Sequence, residues 1–300
     1  MIRLIVLLCT LPAALWAAPP RVMTDIAPVH SLTAQVMGDL GTPDLLLPPD
    51  ADPHDFALRP SDAQRLGDAE LVIWVGPGLT SWLTEPLETL AAGATALILL
   101  DAPGWERLEV REKDDHDGHA HEGHDHGDVD PHGWLDPVVA RAWIGAISKA
   151  LGDADPDNAA QYARNAADAV ERLNRLEAEI AAQLSPVRNA GYVLPHDGYH
   201  YFEHRFGLTA AGAIAGADGR TPGPAHVAEL REKITQDGIA CVFSDVEVGD
   251  RWAAVLTEGT DARTAQIDGN GGGLEPGPAL YDSMLRRLAQ AFATCLGAAS

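Results

Sequence analysis

The stretch "DNAAQYARNAADAVERLNRLEAEIAAQL", residues Asp157–Leu184, predicts the element around which the rest of the chain is organised. It contains no glycine or proline, and its apolar residues recur at spacings of three and four, which is typical of an amphipathic helix. At 1.5 Å per residue this helix is on the order of 40 Å long. A helix that covers one small sheet rarely needs that length, so we expect it to run across two lobes. The apolar stripe consists of Tyr162, Ala166, Ala169, Leu173, Leu176, Ile180 and Leu184.

On both sides of this helix the sequence alternates between candidate strands and candidate helices. The runs "LVIWVG" and "ATALILLDA" before it, and "GYVLPHD" and "IACVFSD" after it, are short and apolar, as in strands buried on both faces of a parallel sheet. We therefore predict an α/β fold of two lobes, each with a parallel-type sheet and flanking helices, joined by one long rigid helix. The predicted boundaries are a leader at 1–17, an N-terminal lobe at 18–154, a linking helix at 155–185 and a C-terminal lobe at 186–300.

The N-terminus has the pattern of a secretory signal peptide. Arg3 is followed by the apolar run "LIVLLCTLPAALWAA", which ends in small residues and predicts cleavage after Ala17. Cys9 lies inside this run and not at its end, which argues against a lipoprotein. Cleavage leaves Cys241 and Cys295 in an exported chain, and such a pair predicts a disulfide. The alternative is two buried free thiols.

The stretch "DDHDGHAHEGHDHGDVDPH" ends at His132, and its residues 114–130 form a tract rich in histidine and acidic residues. Its composition offers almost nothing apolar to bury, so it predicts a flexible loop. The chain's formal net charge of -23 argues against a nucleic-acid partner. We interpret the tract as an arm that gathers metal ions weakly, and the alternative is a solvated loop without a role. Its histidines are His116, His119, His121, His124 and His126.

Four other potential ligands follow strands or precede a helix. Ligands of open α/β sheets bind beyond the carboxyl ends of the strands, so side chains at these places can converge. A lone histidine is more often a surface or core ring, but a proline directly before each of the three histidines stiffens the chain there. Three imidazoles and one carboxylate complete a tetrahedral Zn²⁺ site. The candidates are His54, His132, His196 and Asp268.

Four longer motifs carry a resemblance to a known family. "DADPHDFALRPSD", "DPHGWLDP", "PHDGYHYFEHRFGL" and "LEPGPALY" resemble the metal-binding receptors of bacterial zinc ABC importers, the ZnuA/AztC type of the cluster A-I family. The resemblance covers essentially the whole mature chain. It implies a zinc site in the cleft between two lobes, with His54, His132 and His196 as ligands. It also implies a monomeric periplasmic receptor that delivers Zn²⁺ to a membrane permease with a cytoplasmic ATPase, and a periplasmic zinc metallochaperone as a further partner.

The fourth ligand stays open at this point. In some relatives a Glu directly before the first histidine has this role, but Pro53 occupies that position here. In others an Asp of the C-terminal lobe serves, and Asp268 matches it, with water as the alternative. The segment "IDGNGGGLEPG" departs from the usual Asp-Pro-Leu-Gly pattern after this Asp.

The sequence also bears on functions other than that of a zinc receptor. One alternative is a manganese/iron-type metal receptor of the same family. The manganese branch has a Glu where His196 stands, and a third imidazole favours zinc because manganese prefers oxygen ligands. A zinc-dependent hydrolase needs an open coordination position for water, and the chain has no HExxH motif. A structural or adhesive surface protein would need no matched ligand set. The sequence therefore predicts a receptor and not an enzyme.

Overall fold

The computed structural model describes residues 18–111, 129–217, 219–220 and 222–297. These residues form two four-stranded sheets with helices packed around them, and every strand pair is parallel. The first half contains β1 (Val22–Thr24), α1 (Ala27–Met37), β2 (Asp44–Leu45), α2 (Pro60–Gly67), β3 (Leu71–Trp74), α3 (Thr84–Leu90), β4 (Thr95–Ile98), α4 (Pro137–Ala154) and α5 (Ala159–Leu184). The second half contains β5 (Tyr192–His196), α6 (His200–Phe206), β6 (Gly212–Ala215), α7 (Pro224–Gln236), β7 (Cys241–Ser244), α8 (Asp250–Thr257), β8 (Arg263–Gln266) and α9 (Leu280–Gly297).

The two sheets have the same strand order relative to the chain. The first runs β2-β1-β3-β4 and the second β6-β5-β7-β8. In each sheet the chain first adds a strand on one side of the starting strand and then crosses to its other side. The carboxyl ends of β1 and β3, and of β5 and β7, therefore mark the points where ligands bind in open parallel sheets.

Helix α5 packs against both halves of the molecule. Its neighbours are α1 and α4 on one side and α9 on the other. All seven residues of the apolar stripe predicted from the sequence are buried. A single cluster of buried residues consequently runs from the first sheet, along α5, to Phe243 and Phe292 beside the second sheet.

Helix α4 begins with a capped first turn. Asp136 accepts a hydrogen bond from the backbone N–H of Val138 at 2.7 Å, and Pro137 occupies the first helical position, which loses no hydrogen bond there. The Asp136 carboxylate also accepts two hydrogen bonds from Arg205 of α6, at 2.8 and 2.9 Å. One side chain thus starts a helix of the first half and ties it to a helix of the second.

The predicted disulfide is present. Cys241 begins β7 and Cys295 lies near the end of α9, with their Cα atoms 6.0 Å apart and a sequence separation of 54. The bond joins α9 to the strand whose carboxyl end faces the candidate site. Among the described residues, no helix is both long enough and apolar enough to cross a membrane.

The predicted α/β fold, with two parallel sheets and a long helix, is confirmed. Strand β2 is short, because only Asp44 and Leu45 pair with β1. Helices α2, α3 and α6 have eight, seven and seven residues, which is too short for a clear apolar period in the sequence.

Candidate metal centre

His196 is the last residue of β5, and its ring is held by a neighbour on the adjacent strand. Nδ1 lies 2.7 Å from Oδ2 of Asp245, the residue directly after β7. Oδ1 of Asp245 accepts backbone hydrogen bonds from Glu247 and Val248, at 3.1 and 2.9 Å. A carboxylate can only accept, so Nδ1 is the donor, and in the neutral ring the lone pair is on Nε2. A carboxylate behind an imidazole is the arrangement that orients histidine ligands in metal sites.

His132 has the same kind of support. Asp130, two residues before it, accepts hydrogen bonds from both the backbone N–H and Nδ1 of His132, at 2.9 and 2.7 Å. Both side chains are buried, and the ring lies just before α4. Nε2 is buried and has no hydrogen-bond partner among the residues that the structure describes. A buried nitrogen with a free lone pair is costly unless a proton donor or a metal ion binds it.

His54 comes from the loop between β2 and α2. Its backbone N–H donates to Oδ1 of Asp52 at 2.8 Å, and the indole N–H of Trp82 donates to the carbonyl of Pro53 at 2.9 Å. These two bonds fix the chain on either side of the ligand position. Nε2 of His54 is also buried without a hydrogen-bond partner in the described part of the chain.

The three imidazoles lie side by side. The ring centroids of His54 and His132 are 5.4 Å apart, and those of His132 and His196 are 5.5 Å apart. A Cβ atom built on Gly198 would lie 2.1 Å from Nε2 of His196 and 2.9 Å from Nε2 of His132. Both nitrogens therefore face one small volume, and only a glycine at position 198 leaves that volume free.

The acidic side chains at this volume come from the second half. Asp268, two residues after β8, lines the same small cavity as His132, His196 and Glu247. Its Oδ1 accepts hydrogen bonds from the backbone of Asn270 and Gly271, at 2.8 and 3.0 Å, which leaves Oδ2 less engaged. Burial raises the pKa of Asp268 above its usual value, although these backbone bonds oppose the rise.

Glu247 approaches His196 more closely. Its Oε2 lies 3.4 Å from Nε2 of His196, and its side chain is only 5% exposed. Oε1 accepts a hydrogen bond from Nδ2 of Asn270 at 3.0 Å, whereas Oε2 has no hydrogen-bond partner among the described residues. The side chains of His196, Asp245 and Glu247 offer ligand atoms that all lie within 4.8 Å of one another.

The protonation of the rings follows from burial and from these carboxylates. Burial, and then the neighbouring rings of His132 and His196, lower the pKa of His54 to about 3, so this ring is neutral near pH 7. Burial also lowers the pKa of His196, but Glu247, Asp245 and Asp130 outweigh it and raise the value to about 9. Burial raises the pKa of Glu247.

The structure thus brings His54, His132 and His196 together, with Asp268 at the same cavity. The five histidines predicted as a weak metal loop, His116, His119, His121, His124 and His126, lie outside the described residues. The predicted end of the flexible tract, at residue 130, is too late by two residues. Val129 forms an antiparallel bridge with Glu109, and Asp130 is buried against His132, so both belong to the fixed structure.

Sequence reasoning did not identify Asp130, Asp245 and Glu247. Asp130 could have been found, because an Asp two residues before a histidine can bond both the backbone and the ring. Asp245 and Glu247 could not, because their approach to His196 depends on β5 and β7 being neighbours in the sheet.

The chain matches a known protein family. Residues 22–295 match the family model ZnuA, described as zinc-uptake complex component A, periplasmic. The chain belongs to the ZnuA family. This confirms the resemblance drawn from the sequence motifs, and a periplasmic location follows from the family's description.

Individual ZnuA relatives match along nearly the whole chain. The high-affinity zinc uptake system protein ZnuA of Paracoccus denitrificans (strain Pd 1222) is 41% identical, over 94% of this chain and 93% of its own length. A crystal structure of ZnuA superimposes with a TM-score of 0.79 at 22% identity, covering 93% of this chain and 99% of that one. A zinc-bound deletion mutant of ZnuA gives 0.78, at 22% identity and over 93% and 98% of the two chains. At this identity the two structures support the fold.

Proposed function

We propose that this chain is a zinc-binding receptor that captures Zn²⁺ and delivers it to an ABC importer. The observation that carries the proposal is the convergence of three buried imidazoles, two of them oriented by carboxylates, with Nε2 of His54 and His132 unpartnered among the described residues. Neutral imidazoles at this spacing are zinc ligands, whereas Mg²⁺, Ca²⁺ and Mn²⁺ prefer oxygen. We assign His54, His132 and His196 as ligands, with Asp268 as the predicted fourth.

The partners follow from family membership. A member of a periplasmic zinc-uptake family needs a membrane permease and its ATPase to move the ion inward. We propose that residues 1–17 are a signal peptide, that the mature chain acts as a monomer, and that a periplasmic metallochaperone is a further zinc source. We also propose the domain boundaries given from the sequence, and that the chain has no catalytic activity of its own.

The histidine-rich tract has a separate part in this proposal. His116, His119, His121, His124 and His126 bind zinc weakly and raise its concentration beside the tight site. Support comes from their composition and from the anchoring of both chain ends near the site. Arg111 is the last described residue before this tract, and it donates a hydrogen bond to Asp197, the neighbour of His196.

The test is the number and affinity of tight zinc sites, measured by competition with a chromophoric chelator. The parent is expected to bind one Zn²⁺ tightly, and His132→Ala is expected to lose that site. His226→Ala is the matched control, because this exposed ring on α7 donates a hydrogen bond from Nε2 to the carbonyl of Ala213, which is not one of the assigned ligands. His132→Ala that keeps the parent's tight site overturns the assignment.

Two further measurements separate the alternatives. Titration with Mn²⁺ and Fe²⁺ under the same conditions is expected to give much weaker binding than Zn²⁺, since the site offers three nitrogens. Zinc-loaded protein is expected to leave ester and peptide substrates intact. Hydrolysis that disappears in His132→Ala would identify a hydrolase instead.

A further inference from the structure

The predicted ligand set of the receptor does not account for the position of the Oε2 atom of Glu247. It is buried, it has no hydrogen-bond partner among the described residues, and it lies 3.4 Å from Nε2 of His196. The other oxygen of the same carboxylate is held by Asn270. One oxygen is therefore fixed by the protein, and the other is presented to the ring.

The atom that Oε2 faces is itself a lone-pair donor. Asp245 takes the N–H of Nδ1, so in the neutral ring, the form that binds a metal ion, Nε2 of His196 carries the free lone pair. Two lone pairs that face each other in a buried site repel, unless a cation or a proton lies between them. A separation of 3.4 Å is also long for a hydrogen bond of this type.

The separation instead fits two ligands of one metal ion. His54, His132, His196, Asp268 and Glu247 together would make the ion five-coordinate, and ligand atoms at the usual zinc bond lengths are then roughly 2.9–3.6 Å apart. The second half of the molecule brings Glu247 to this distance through neighbouring strands, since His196 ends β5 and Glu247 follows β7. Gly198 keeps the space beside both imidazole nitrogens clear.

We propose that Glu247 is a direct ligand of the bound zinc, through Oε2. This inference rests on the proposed function of the three-histidine site. The Glu247 carboxylate is itself buried, and a bond from Oε2 to a doubly charged ion offsets the cost of burying that oxygen without a hydrogen bond. Glu247 thereby adds to the affinity and to the preference for a doubly charged ion.

The variants that test this are Glu247→Gln and Glu247→Ala, with Glu229→Gln as the control. Glu229 lies exposed on α7 of the same half, so its substitution removes the same charge far from the site. Asp268→Asn is measured in parallel to compare the two carboxylates. Thermal unfolding of each zinc-free protein checks that the variants fold.

Two readouts are needed, because a nearby charge can also change affinity. The first is the zinc dissociation constant, expected to rise at least about tenfold in both Glu247 variants and to stay unchanged in Glu229→Gln. The second is the visible d–d spectrum of the Co²⁺-loaded protein, whose position and intensity report the ligands directly. We expect both Glu247 variants to shift this spectrum.

The outcomes separate this inference from the proposed function. A lower affinity together with a shifted Co²⁺ spectrum supports Glu247 as a ligand. Unchanged affinity, or lower affinity with an unchanged spectrum, overturns it, and the zinc site itself stands as long as His132→Ala still abolishes tight binding. If His132→Ala binds zinc like the parent, the proposed function fails first.

Discussion

Gly198 occupies the position where a side chain would collide with the candidate ligands. A methyl group there would lie 2.1 Å from Nε2 of His196, whose ring cannot turn freely because Asp245 holds Nδ1. We therefore expect Gly198→Ala to weaken zinc binding by more than about 100-fold, beyond the usual cost of losing an outer-shell contact. Chelator competition measures this loss.

The matched control is Gly145→Ala on α4, where a new Cβ meets nothing within 4 Å. It should bind zinc like the parent and be slightly more stable, since alanine favours a helix over glycine. If Gly198→Ala also kept the parent's affinity, the imidazoles would have to converge on some other point.

The second prediction at this scale concerns pH. The pKa of His196 is about 9 in the zinc-free protein, so this ring carries a proton at neutral pH and must lose it to bind zinc. His54, with a pKa of about 3, is already neutral and adds no such requirement. Zinc affinity should therefore rise with pH, by roughly tenfold per unit between about pH 6 and 9.

Calorimetric titrations at pH 7 in two buffers with different ionisation enthalpies measure the protons released. We expect about one proton per zinc from His196. Equal zinc dissociation constants at pH 6 and pH 8 would contradict a ring that must be deprotonated first.

At the scale of the elements, the features that could be predicted from the sequence are those that a local pattern of residues determines. The stripe from Tyr162 to Leu184 predicted α5, because burial of one helix face requires that period. The three histidines were found because they lie at strand ends or next to a helix. Glu247 was missed because β6 precedes β7 in the chain but lies on the other side of β5, so no local pattern shows that β7 is the neighbour of β5.

The disulfide between β7 and α9 allows a prediction for these elements. Closing 54 residues of chain should stabilise the folded state by about 4 kcal/mol, mainly by restricting the unfolded chain. We expect the double variant Cys241→Ala, Cys295→Ala to lose stability of this order in denaturant unfolding. The same loss should appear when the parent is unfolded with a reductant, and a reductant should not affect the variant. A variant as stable as the oxidised parent would contradict this role.

At the scale of the whole molecule, the two sheets are joined by more than α5. The indole N–H of Trp134, just before α4, donates to the carbonyl of Gly269 at 2.7 Å. The hydroxyl of Tyr281 on α9 donates to the carbonyl of Trp134 at 2.6 Å. Together with the continuous buried cluster along α5, these bonds restrain any rotation of one half against the other. We therefore expect capture and release of the ion to depend on the loops at the site.

Both ends of the segment 112–128 are anchored beside that site. Glu109 and Val129 form an antiparallel bridge at its base. Arg111 pairs with Asp197 and, at 2.7 Å, with the buried carboxylate of Glu203, while Asp130 holds the ring of His132. We therefore expect zinc that is bound weakly on this segment to pass to the tight site in a nearly intramolecular step.

The last prediction removes this tether. Deletion of residues 114–128 keeps Asp130 and His132, and the remaining chain from Glu109 to Val129 is short enough for a hairpin connection. We expect the tight zinc site to keep its affinity, because its predicted ligands and their orienting carboxylates are untouched. The additional weak zinc equivalents should disappear. Loading from a chelated zinc donor, followed by stopped-flow, should become slower.

A second variant distinguishes the imidazoles from the length of the segment. Replacement of His116, His119, His121, His124 and His126 by Ser retains the tether and its acidic residues, so it should slow loading as much as the deletion if imidazoles gather the zinc. If only the deletion slows loading, acidic charge or chain length is responsible. Loss of the tight site in the Ser variant would make these histidines primary ligands. Unchanged stoichiometry and unchanged transfer rates in both variants would leave the tract without a part in zinc capture.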